Sequence, residues 1–497
     1  MLVATLLLLA PAGVSAAGAE DSAVRCAALR AVPIPKLRIV ATDAIVPSPT
    51  WTSPRALVGS TTVRARFCRV QGVIDQEIRF ELWLPAPGAW NGRYLGAGNG
   101  GDAGFINYPI LGRGVTRGFA AASTDSGHLD SDPHWALGHL ERLENYGFRA
   151  HHWLAVDAKH LIAAYYGTPA HDAYFLGCSG GGAQGMNEAQ RYPADYDGII
   201  AGASGYSMAP LSARFLLSAL LARNDPQGVL SVADWRRVAL AAVKQCDRID
   251  GVADGVIQDP RRCRFDPAST PGLMAAQVRQ AKVLLGPLRG ADGRELYPGF
   301  APGAAFSASP REVGIATRFF GEWVYQDLHW NPESFEPARD DEAAEDQIAG
   351  LSFTNPNLGP LARRGGKLIM YIGWADPIVP AQADIDYYQD VARYLGAQRA
   401  QQFLRLYVVP GMTHCMGGSG ATLFGQAFEP DPPVEDASHD VLTAMIDWVE
   451  HARAPGALVA AHVEGEAVKF TRPLCPYPRL AHYRGGDVNE ARSFRCE

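Results

Sequence analysis

The sequence predicts an α/β fold whose core is interrupted by a large insertion. Short β-rich apolar runs, each followed by a glycine turn and a helical pattern, recur through the first two hundred residues, as at 94–96, 119–123 and 174–176. This alternation is lost after Gly205 and returns near Lys367. Because alternating strands and helices build parallel sheets covered on both faces, we expect a mostly parallel sheet flanked by helices.

The 497 residues are long enough for a core with one big insertion, and we predict four segments. Residues 1–19 are typical of a signal peptide, residues 20–205 and 355–497 form the two parts of the core, and residues 206–354 form a lid. Helical periodicity is clear at 441–449, where an amphipathic helix is predicted to close the chain.

The signal-peptide prediction rests on an apolar run from Leu2 to Ala10 that is followed by small residues. This run is shorter than the about 20 residues that a helix needs to span a bilayer. Since no Lys or Arg precedes it, a buried N-terminal helix is the alternative. A cleaved signal predicts a secreted or periplasmic protein, without a membrane span, that folds under oxidising conditions.

Charge and composition exclude several classes of protein. The 45 basic and 52 acidic side chains give a formal charge of -7, and Lys and Arg form no dense run, so nucleic acid is not an expected ligand. Hydrophobic residues at 47% and charged residues at 20% are typical of a globular protein rather than a disordered chain. The oligomeric state is not defined by these features.

Eight cysteines allow up to four disulfides. They are Cys26, Cys68, Cys178, Cys246, Cys263, Cys415, Cys475 and Cys496. Their spacing does not match that of a zinc site, so structural zinc is not expected. Pairing of Cys246 with Cys263 and of Cys475 with Cys496 is the simplest first assignment because each pair is local in sequence.

A nucleophile motif follows one of the predicted strands. Residues 172–176 are strand-like, and Gly-Cys-Ser-Gly-Gly at 177–181 follows them before a helix. This is the Gly-x-Ser-x-Gly motif in the strand–turn–helix setting of α/β hydrolases, where the serine occupies a sharp turn between closely packed elements. We therefore predict an α/β-hydrolase core with a large inserted lid domain, and Ser179 as the nucleophile.

A serine hydroxyl needs a base that accepts its proton and a carboxylate that orients the base. In α/β hydrolases the carboxylate and then the histidine follow the serine, on loops after later strands. The strand-like run 367–372 leads to Asp376, and the run 403–409 leads to His414. Ser179, Asp376 and His414 are therefore the predicted catalytic triad.

Two cysteines flank the predicted triad. Cys178 immediately precedes Ser179, and Cys415 immediately follows His414. If the serine and histidine are within hydrogen-bond reach, these cysteines lie near the ~5.5 Å Cα separation of a disulfide. Two unrelated buried thiols are the alternative.

Three motifs together resemble the tannase and feruloyl esterase family: Gly-Cys-Ser-Gly-Gly at 177–181, Gly-Trp-Ala-Asp-Pro at 373–377 and Gly-Met-Thr-His-Cys at 411–415. Members of that family join the neighbours of the triad serine and histidine by a disulfide. The resemblance runs from about Cys26 to the C-terminus. It implies a serine esterase that hydrolyses a small aromatic-acid ester, of the feruloyl (hydroxycinnamoyl) or galloyl type, through an acyl-enzyme. Because the family also includes a mono(2-hydroxyethyl) terephthalate hydrolase, this terephthalate ester is an alternative substrate.

Hydrolysis through an acyl-enzyme needs two N–H donors for the oxyanion. Gly180 supplies one of them, because it follows the nucleophile. The second is expected from the glycine loop at 98–104, which follows an early core strand. The family resemblance favours Gly101 as this donor, with Gly100 as the alternative.

An acidic loop in the predicted lid places three carboxylates within eight residues. Calcium prefers six to eight oxygen ligands, which such a loop can provide. The resemblance implies a structural calcium ion bound by the carboxylates of Asp247, Asp250 and Asp254 and by the carbonyls of Val252 and Val256. A solvated acidic turn is the alternative.

The predicted lid also carries aromatic side chains that are able to stack on an aromatic substrate. They are Phe319, Phe320, Trp323, Tyr325 and Trp330. Packing within the lid is the alternative for all five. Two further function classes are compatible with the same fold, namely a non-catalytic binding protein and an exported serine peptidase.

Overall fold

A computed structural model describes residues 16–205, 207–306, 309–348 and 351–497. Its helices are α1 (Ala16–Ala28), α2 (Tyr108–Thr116), α3 (Leu140–Glu144), α4 (Ala150–Tyr166), α5 (Gly180–Arg191), α6 (Met208–Asn224), α7 (Val232–Cys246), α8 (Ala275–Leu285), α9 (Pro310–Arg318), α10 (Pro337–Ile348), α11 (Gly359–Arg363), α12 (Ala381–Leu395), α13 (Ala397–Ala400) and α14 (Val441–His451). Across these described ranges, we find no helix with the length and apolar character needed to cross a membrane. Most of the predicted signal peptide, residues 1–15, lies outside the described residues.

The strands alternate with these helices in the two parts of the core. They are β1 (Leu37–Ile45), β2 (Trp51–Thr52), β3 (Thr62–Val63), β4 (Phe67–Ile74), β5 (Ile78–Pro85), β6 (Arg93–Ala97), β7 (Ala120–Thr124), β8 (Asp172–Cys178), β9 (Gly198–Gly202), β10 (Leu288–Arg289), β11 (Glu295–Tyr297), β12 (Lys367–Gly373), β13 (Leu404–Val409), β14 (Leu458–Glu464), β15 (Ala467–Leu474), β16 (Ala481–Tyr483) and β17 (Phe494–Cys496). The runs at 94–96, 119–123 and 174–176 therefore lie almost entirely in β6, β7 and β8.

A nine-stranded sheet forms the centre of the fold, in the order β1-β4-β5-β7-β6-β8-β9-β12-β13. The pairs from β7 to β13 are all parallel, whereas β1, β4, β5 and β7 pair antiparallel at the other end. Every residue of β7 and β9 is buried, as expected for parallel strands covered on both faces. The sheet with its helices confirms the predicted α/β-hydrolase fold.

The lid is the segment between β9 and β12. Its described residues add no strand to the central sheet and instead form α6 to α10 and the small antiparallel pair β10–β11. Part of the lid has an apolar cluster of its own, which includes Trp235, Phe300 and Phe306. The boundaries 206–354 stay a prediction, although helix α6 begins at Met208, close to the expected start.

The prediction that an amphipathic helix closes the chain was wrong. Helix α14 occupies Val441–His451, but two antiparallel pairs, β14–β15 and β16–β17, follow it. The first half of β15 is exposed, so it lacks the apolar alternation that identifies a strand in a sequence. The C-terminal part of the core, predicted at 355–497, therefore ends in two antiparallel strand pairs rather than in a helix.

All eight cysteines are paired in four disulfides. The pairs are Cys26–Cys68, Cys178–Cys415, Cys246–Cys263 and Cys475–Cys496. The pairing of Cys26 with Cys68, which the sequence left open, joins α1 to β4 near the antiparallel edge of the sheet. Four disulfides in one chain are typical of proteins that fold in an oxidising compartment.

Candidate active site

Ser179 occupies the turn between β8 and α5. Its backbone angles of φ 60° and ψ -126° are rare for a residue with a Cβ, as expected at a nucleophile turn. Its amide donates to the carbonyl of Gly202 at 2.9 Å, which fixes the turn on the neighbouring strand. The turn also requires glycine around it, since a Cβ added at Gly177 would lie 2.3 Å from the carbonyl oxygen of Gly181.

The structure brings the three predicted triad residues together. His414 Nε2 lies 2.8 Å from Ser179 Oγ, and His414 Nδ1 lies 2.8 Å from Asp376 Oδ2. The buried Asp376 accepts, at its other oxygen, the amides of Ile378 at 2.8 Å and Val379 at 2.9 Å. Asp376 and His414 meet because they follow β12 and β13, which are adjacent parallel strands. This geometry allows the serine proton to pass to the histidine.

The charges around His414 favour its protonated form. Burial lowers the pKa of His414, but the charge of Asp376 and its hydrogen bond outweigh burial, so the pKa is raised above its ordinary value of 6.5. Glu312 from the lid adds further negative charge, as does Asp384 from α12 when its carboxyl group is ionised. His414 is therefore a strong proton acceptor for a serine hydroxyl.

A second buried carboxyl group, Asp384, lies near the triad. Its Oδ1 accepts the hydroxyl of Ser204 at 2.9 Å, and Ser204 lines the cavity beside Ser179. Burial raises the pKa of Asp384 to about 7, although hydrogen bonds from Ser204 oppose this rise. The sequence analysis missed Asp384, because a single acidic residue on an amphipathic helix has no motif around it.

The disulfide between Cys178 and Cys415 lies directly beside the triad. Both residues are buried, and their Cα atoms are 6.0 Å apart. Cys415 has a positive φ of 65°, so the histidine loop turns sharply at this bond. The disulfide therefore connects the nucleophile turn to the loop that carries His414.

The two predicted oxyanion donors lie next to each other. A Cβ added at Gly180 would lie 3.2 Å from the amide nitrogen of Gly101 and 2.5 Å from its carbonyl oxygen. Gly101 has a φ of +61°, and its carbonyl accepts the hydroxyl of Tyr146 at 3.2 Å. Gly100 also lines the cavity, so it stays the alternative to Gly101.

A cavity of about 470 Å³ opens at Ser179 and His414, between the core and the lid. The lid contributes mainly apolar side chains from α6 and α9. The polar lid residues Arg311 and Glu312 lie at the start of α9, and a Cβ added at Gly101 would lie 3.2 Å from Arg311 Nη2. An ester bound here would therefore meet apolar walls and one guanidinium close to the oxyanion loop.

The five lid aromatics named from the sequence do not line this cavity among the described residues. Phe319, Phe320 and Trp323 are buried, and Trp330 stacks on Phe320 with ring centroids 5.9 Å apart. Packing, the alternative, therefore accounts for four of them, although Trp323 packs against Trp135 and Tyr146 of the core as well as within the lid. Tyr325 is 37% exposed. In the described part of the chain, the aromatic residues that line the cavity, all missed by the sequence analysis, are Phe105, Tyr146, Phe215 and Phe428.

The acidic loop supplies oxygen donors of the kind that calcium prefers. Burial raises the pKa of Asp250, and the negative charges of Asp254 and Asp247 raise it further. A cation would relieve this repulsion, so the donor chemistry fits calcium. Cys246 and Cys263 close the segment, with Cα atoms 5.6 Å apart.

The carboxylates of this loop are hydrogen-bonded in the structure. Asp247 Oδ1 accepts the amide of Gly255 at 3.0 Å, and Asp254 Oδ2 pairs with Arg472 Nη2 at 2.7 Å. Within the described ranges, a cluster of three possible metal-ligand atoms within 4.8 Å of one another is found at His171, Asp172 and Glu450, and not in this loop. Binding of calcium would therefore require the carboxylates to turn towards one another.

The serine elbow, the hydrogen-bonded histidine and aspartate, and the mostly parallel sheet define an α/β hydrolase. A family profile described as tannase and feruloyl esterase matches residues 61–350 and 324–497. The chain belongs to the tannase and feruloyl esterase family, which confirms the family prediction and places the chain among carboxylic ester hydrolases.

Individual relatives agree with this assignment. The chain is 35% identical to an uncharacterized esterase of Xanthomonas campestris pv. campestris, over 96% of this chain and 92% of the relative. It is 31% identical to a probable feruloyl esterase B-2 of Aspergillus terreus, over 88% of this chain and 87% of the relative. The structure matches feruloyl esterase B from Aspergillus oryzae with a TM-score of 0.88 and 26% identity, over 96% of this chain and 100% of that one. It matches tannin acyl hydrolase from Aspergillus niger with a TM-score of 0.77 and 25% identity, over 96% of this chain and 94% of that one.

Proposed function

We propose that this chain is a secreted or periplasmic serine esterase that hydrolyses aromatic-acid esters, of the feruloyl or galloyl type, through an acyl-enzyme. The observation that carries this proposal is the hydrogen-bonded series of Ser179, His414 and Asp376 at the cavity between core and lid. Four disulfides support folding in an oxidising compartment.

Acylation begins when Ser179 Oγ attacks the ester carbonyl carbon and its proton passes to His414 Nε2, 2.8 Å away. Asp376 holds His414 Nδ1–H and stabilises the imidazolium that forms. The carbonyl oxygen becomes negative and accepts hydrogen bonds from the N–H groups of Gly180 and Gly101. The tetrahedral intermediate then collapses, His414 donates its proton to the leaving alcohol oxygen, and the acyl group stays on Ser179.

Deacylation repeats these steps with water as the nucleophile. His414 accepts a proton from the water, whose oxygen attacks the acyl carbonyl carbon. The same glycine amides stabilise the second oxyanion. When the bond to Ser179 breaks, His414 returns the proton to Ser179 Oγ and the carboxylic acid leaves.

The apolar walls of the cavity support an acyl group with an aromatic ring. Relatives named as feruloyl esterase support a hydroxycinnamoyl group, and a structural neighbour named as tannin acyl hydrolase supports a galloyl group. Arg311 favours mono(2-hydroxyethyl) terephthalate as an alternative, because this ester carries a carboxylate that a guanidinium binds well.

A panel of methyl ferulate, methyl gallate, mono(2-hydroxyethyl) terephthalate and short peptides tests the proposal. We expect turnover of at least one aromatic ester and none of the peptides, with loss of turnover in Ser179→Ala. Hydrolysis of peptides alone would instead identify a peptidase. A folded wild-type protein that binds these esters without hydrolysing them would identify a non-catalytic binding protein.

We also propose a structural calcium ion in the lid, held by the carboxylates of the acidic loop and by two of its carbonyls. The ligands would be Asp247, Asp250 and Asp254 with the carbonyls of Val252 and Val256. Calcium would supply positive charge that neutralises the loop and fixes it beside Cys246 and Cys263. The ion takes no part in the chemical steps proposed above.

A further inference from the structure

Among the described residues, four aromatic side chains line the cavity, and one of them is more exposed than the other three. Phe105, Tyr146 and Phe215 are 6%, 4% and 6% exposed, so their rings are largely covered by the protein. Phe428 is partly exposed and reaches the cavity from a loop after the catalytic histidine. Of these four, Phe428 therefore has the most surface available to a bound substrate.

The backbone of Phe428 has an unfavourable conformation. Its φ is 68°, in the left-handed region that residues with a bulky side chain rarely adopt. Such conformations persist where the surrounding structure fixes them, and they are concentrated at functional sites. The contacts that hold Phe428 in this conformation therefore indicate the function of the residue.

A buried arginine fixes the loop that carries Phe428, which we call the strap (residues 425–431). Arg113 on α2 is 9% exposed. Its Nη1 donates to the carbonyls of Gly425 at 3.1 Å and Gln426 at 3.0 Å, and its Nη2 donates to the carbonyl of Glu429. Its Nε pairs with Asp431 at 3.0 Å. One guanidinium thus binds the strap on both sides of Phe428.

The strap also contacts the two loops that carry the reaction. The amide of Gly417, three residues after His414, donates to Glu429 Oε1 at 2.9 Å. On the other side, a Cβ added at Gly100 would lie 3.4 Å from Phe428 Cζ. The tip of the Phe428 ring therefore lies on the oxyanion loop, close to the place where an acyl group would bind.

We propose that Phe428, on the strap that Arg113 binds, is a specificity-determining residue whose ring packs against the aromatic ring of the acyl group. This inference rests on the proposed esterase function. Aromatic pairs gain free energy in offset or edge-to-face contact beyond the burial of their area. An aliphatic acyl group has no ring and gains only the apolar contact, so Phe428 selects for aromatic acids.

The test compares methyl ferulate with methyl butyrate, because the two esters share their leaving alcohol and differ in the acyl group. Phe428→Ala and Phe428→Gly both remove the ring, but glycine adopts a positive φ without strain. In both variants we expect kcat/KM for methyl ferulate to fall about 10-fold, mainly through KM, while that for methyl butyrate changes less than about 2-fold. Phe428→Tyr should keep the wild-type ratio, as should Tyr394→Ala, which removes a 60% exposed ring outside the cavity.

An unchanged ferulate-to-butyrate ratio in both ringless variants would overturn the inference. A fall in Phe428→Ala that is absent in Phe428→Gly would overturn it too, because the backbone and not the ring would then be responsible. Retained methyl butyrate turnover shows that each variant is folded. A wild-type protein that hydrolyses methyl butyrate but no aromatic ester would contradict the proposed substrate class, which is a different outcome from an aromatic preference that survives loss of the ring.

Discussion

Cys178 and Cys415 are joined by a disulfide although 237 positions separate them, and each is the chain neighbour of a residue of the predicted triad. Cys178 precedes Ser179, and Cys415 follows His414. The bond therefore fixes the distance between the nucleophile turn and the histidine loop. It also closes the largest covalent loop of the chain, which contains the whole lid.

Removal of this disulfide should affect both stability and activity. For Cys178→Ala/Cys415→Ala we expect a loss of about 5 kcal/mol in the free energy of unfolding, because the closed loop is long. For Cys475→Ala/Cys496→Ala, whose cysteines are 21 positions apart, we expect about 3 kcal/mol and an unchanged kcat. Unfolding curves and kcat for the two double variants check this prediction. Equal kcat values in both would contradict a positioning role for the first bond.

The pH dependence of activity should report the raised pKa of His414. The histidine must be neutral to accept a proton, so kcat/KM should rise with pH and reach half its maximum above pH 6.5. Asp376→Asn removes the negative charge that opposes burial, so the pKa of His414 and the midpoint of the pH profile should both fall. In the same variant kcat should fall about 10⁴-fold. Glu312→Gln should move the midpoint in the same direction by less. An Asp376→Asn profile with the wild-type midpoint would contradict the assignment.

Asp384 should make stability depend on pH. Its folded-state pKa of about 7 lies above the ordinary 3.8, so the folded chain holds this proton more tightly than the unfolded chain. The contribution of Asp384 to the free energy of unfolding is therefore complete below about pH 4 and is lost as the pH rises towards 7. Asp384→Asn should therefore reduce the fall in Tm between pH 5 and pH 8, whereas the exposed Asp292→Asn should not. An identical fall in both variants would argue against a protonated Asp384.

Calcium should copurify with the protein if the lid loop binds it. We expect about one equivalent by elemental analysis after dialysis without chelator, and a lower Tm after chelation that added calcium restores. Asp250→Asn should weaken both effects, since it removes one of three clustered charges. Metal-free protein whose Tm does not respond to chelator or calcium would refute the site.

The sequence predicted those parts of the fold whose signals are local. Ser179 follows a buried strand and lies in a glycine motif, and Asp376 and His414 follow strands of the same kind. Because parallel strands end at one edge of the sheet, strand recognition alone places these residues together. The flanking cysteines added a second constraint of the same local kind.

The remaining features depend on contacts between distant segments. Phe428 lies in an irregular loop, and its approach to Gly100 arises from hydrogen bonds to Arg113, more than three hundred residues away in sequence. The lid aromatics have the composition of a binding site, yet Phe320 is buried in the lid and Trp323 is buried where the lid meets Trp135 of the core. Composition alone does not separate these two uses of an aromatic ring, because both bury apolar area.

Covalent labelling of Ser179 tests the central claim most directly. A serine-reactive phosphonate should abolish hydrolysis of methyl ferulate at one equivalent per chain, and mass spectrometry should locate the adduct on Ser179. Ser179→Ala should take up no label and should hydrolyse no ester above background. Stoichiometric labelling elsewhere, or wild-type turnover by Ser179→Ala, would contradict the account.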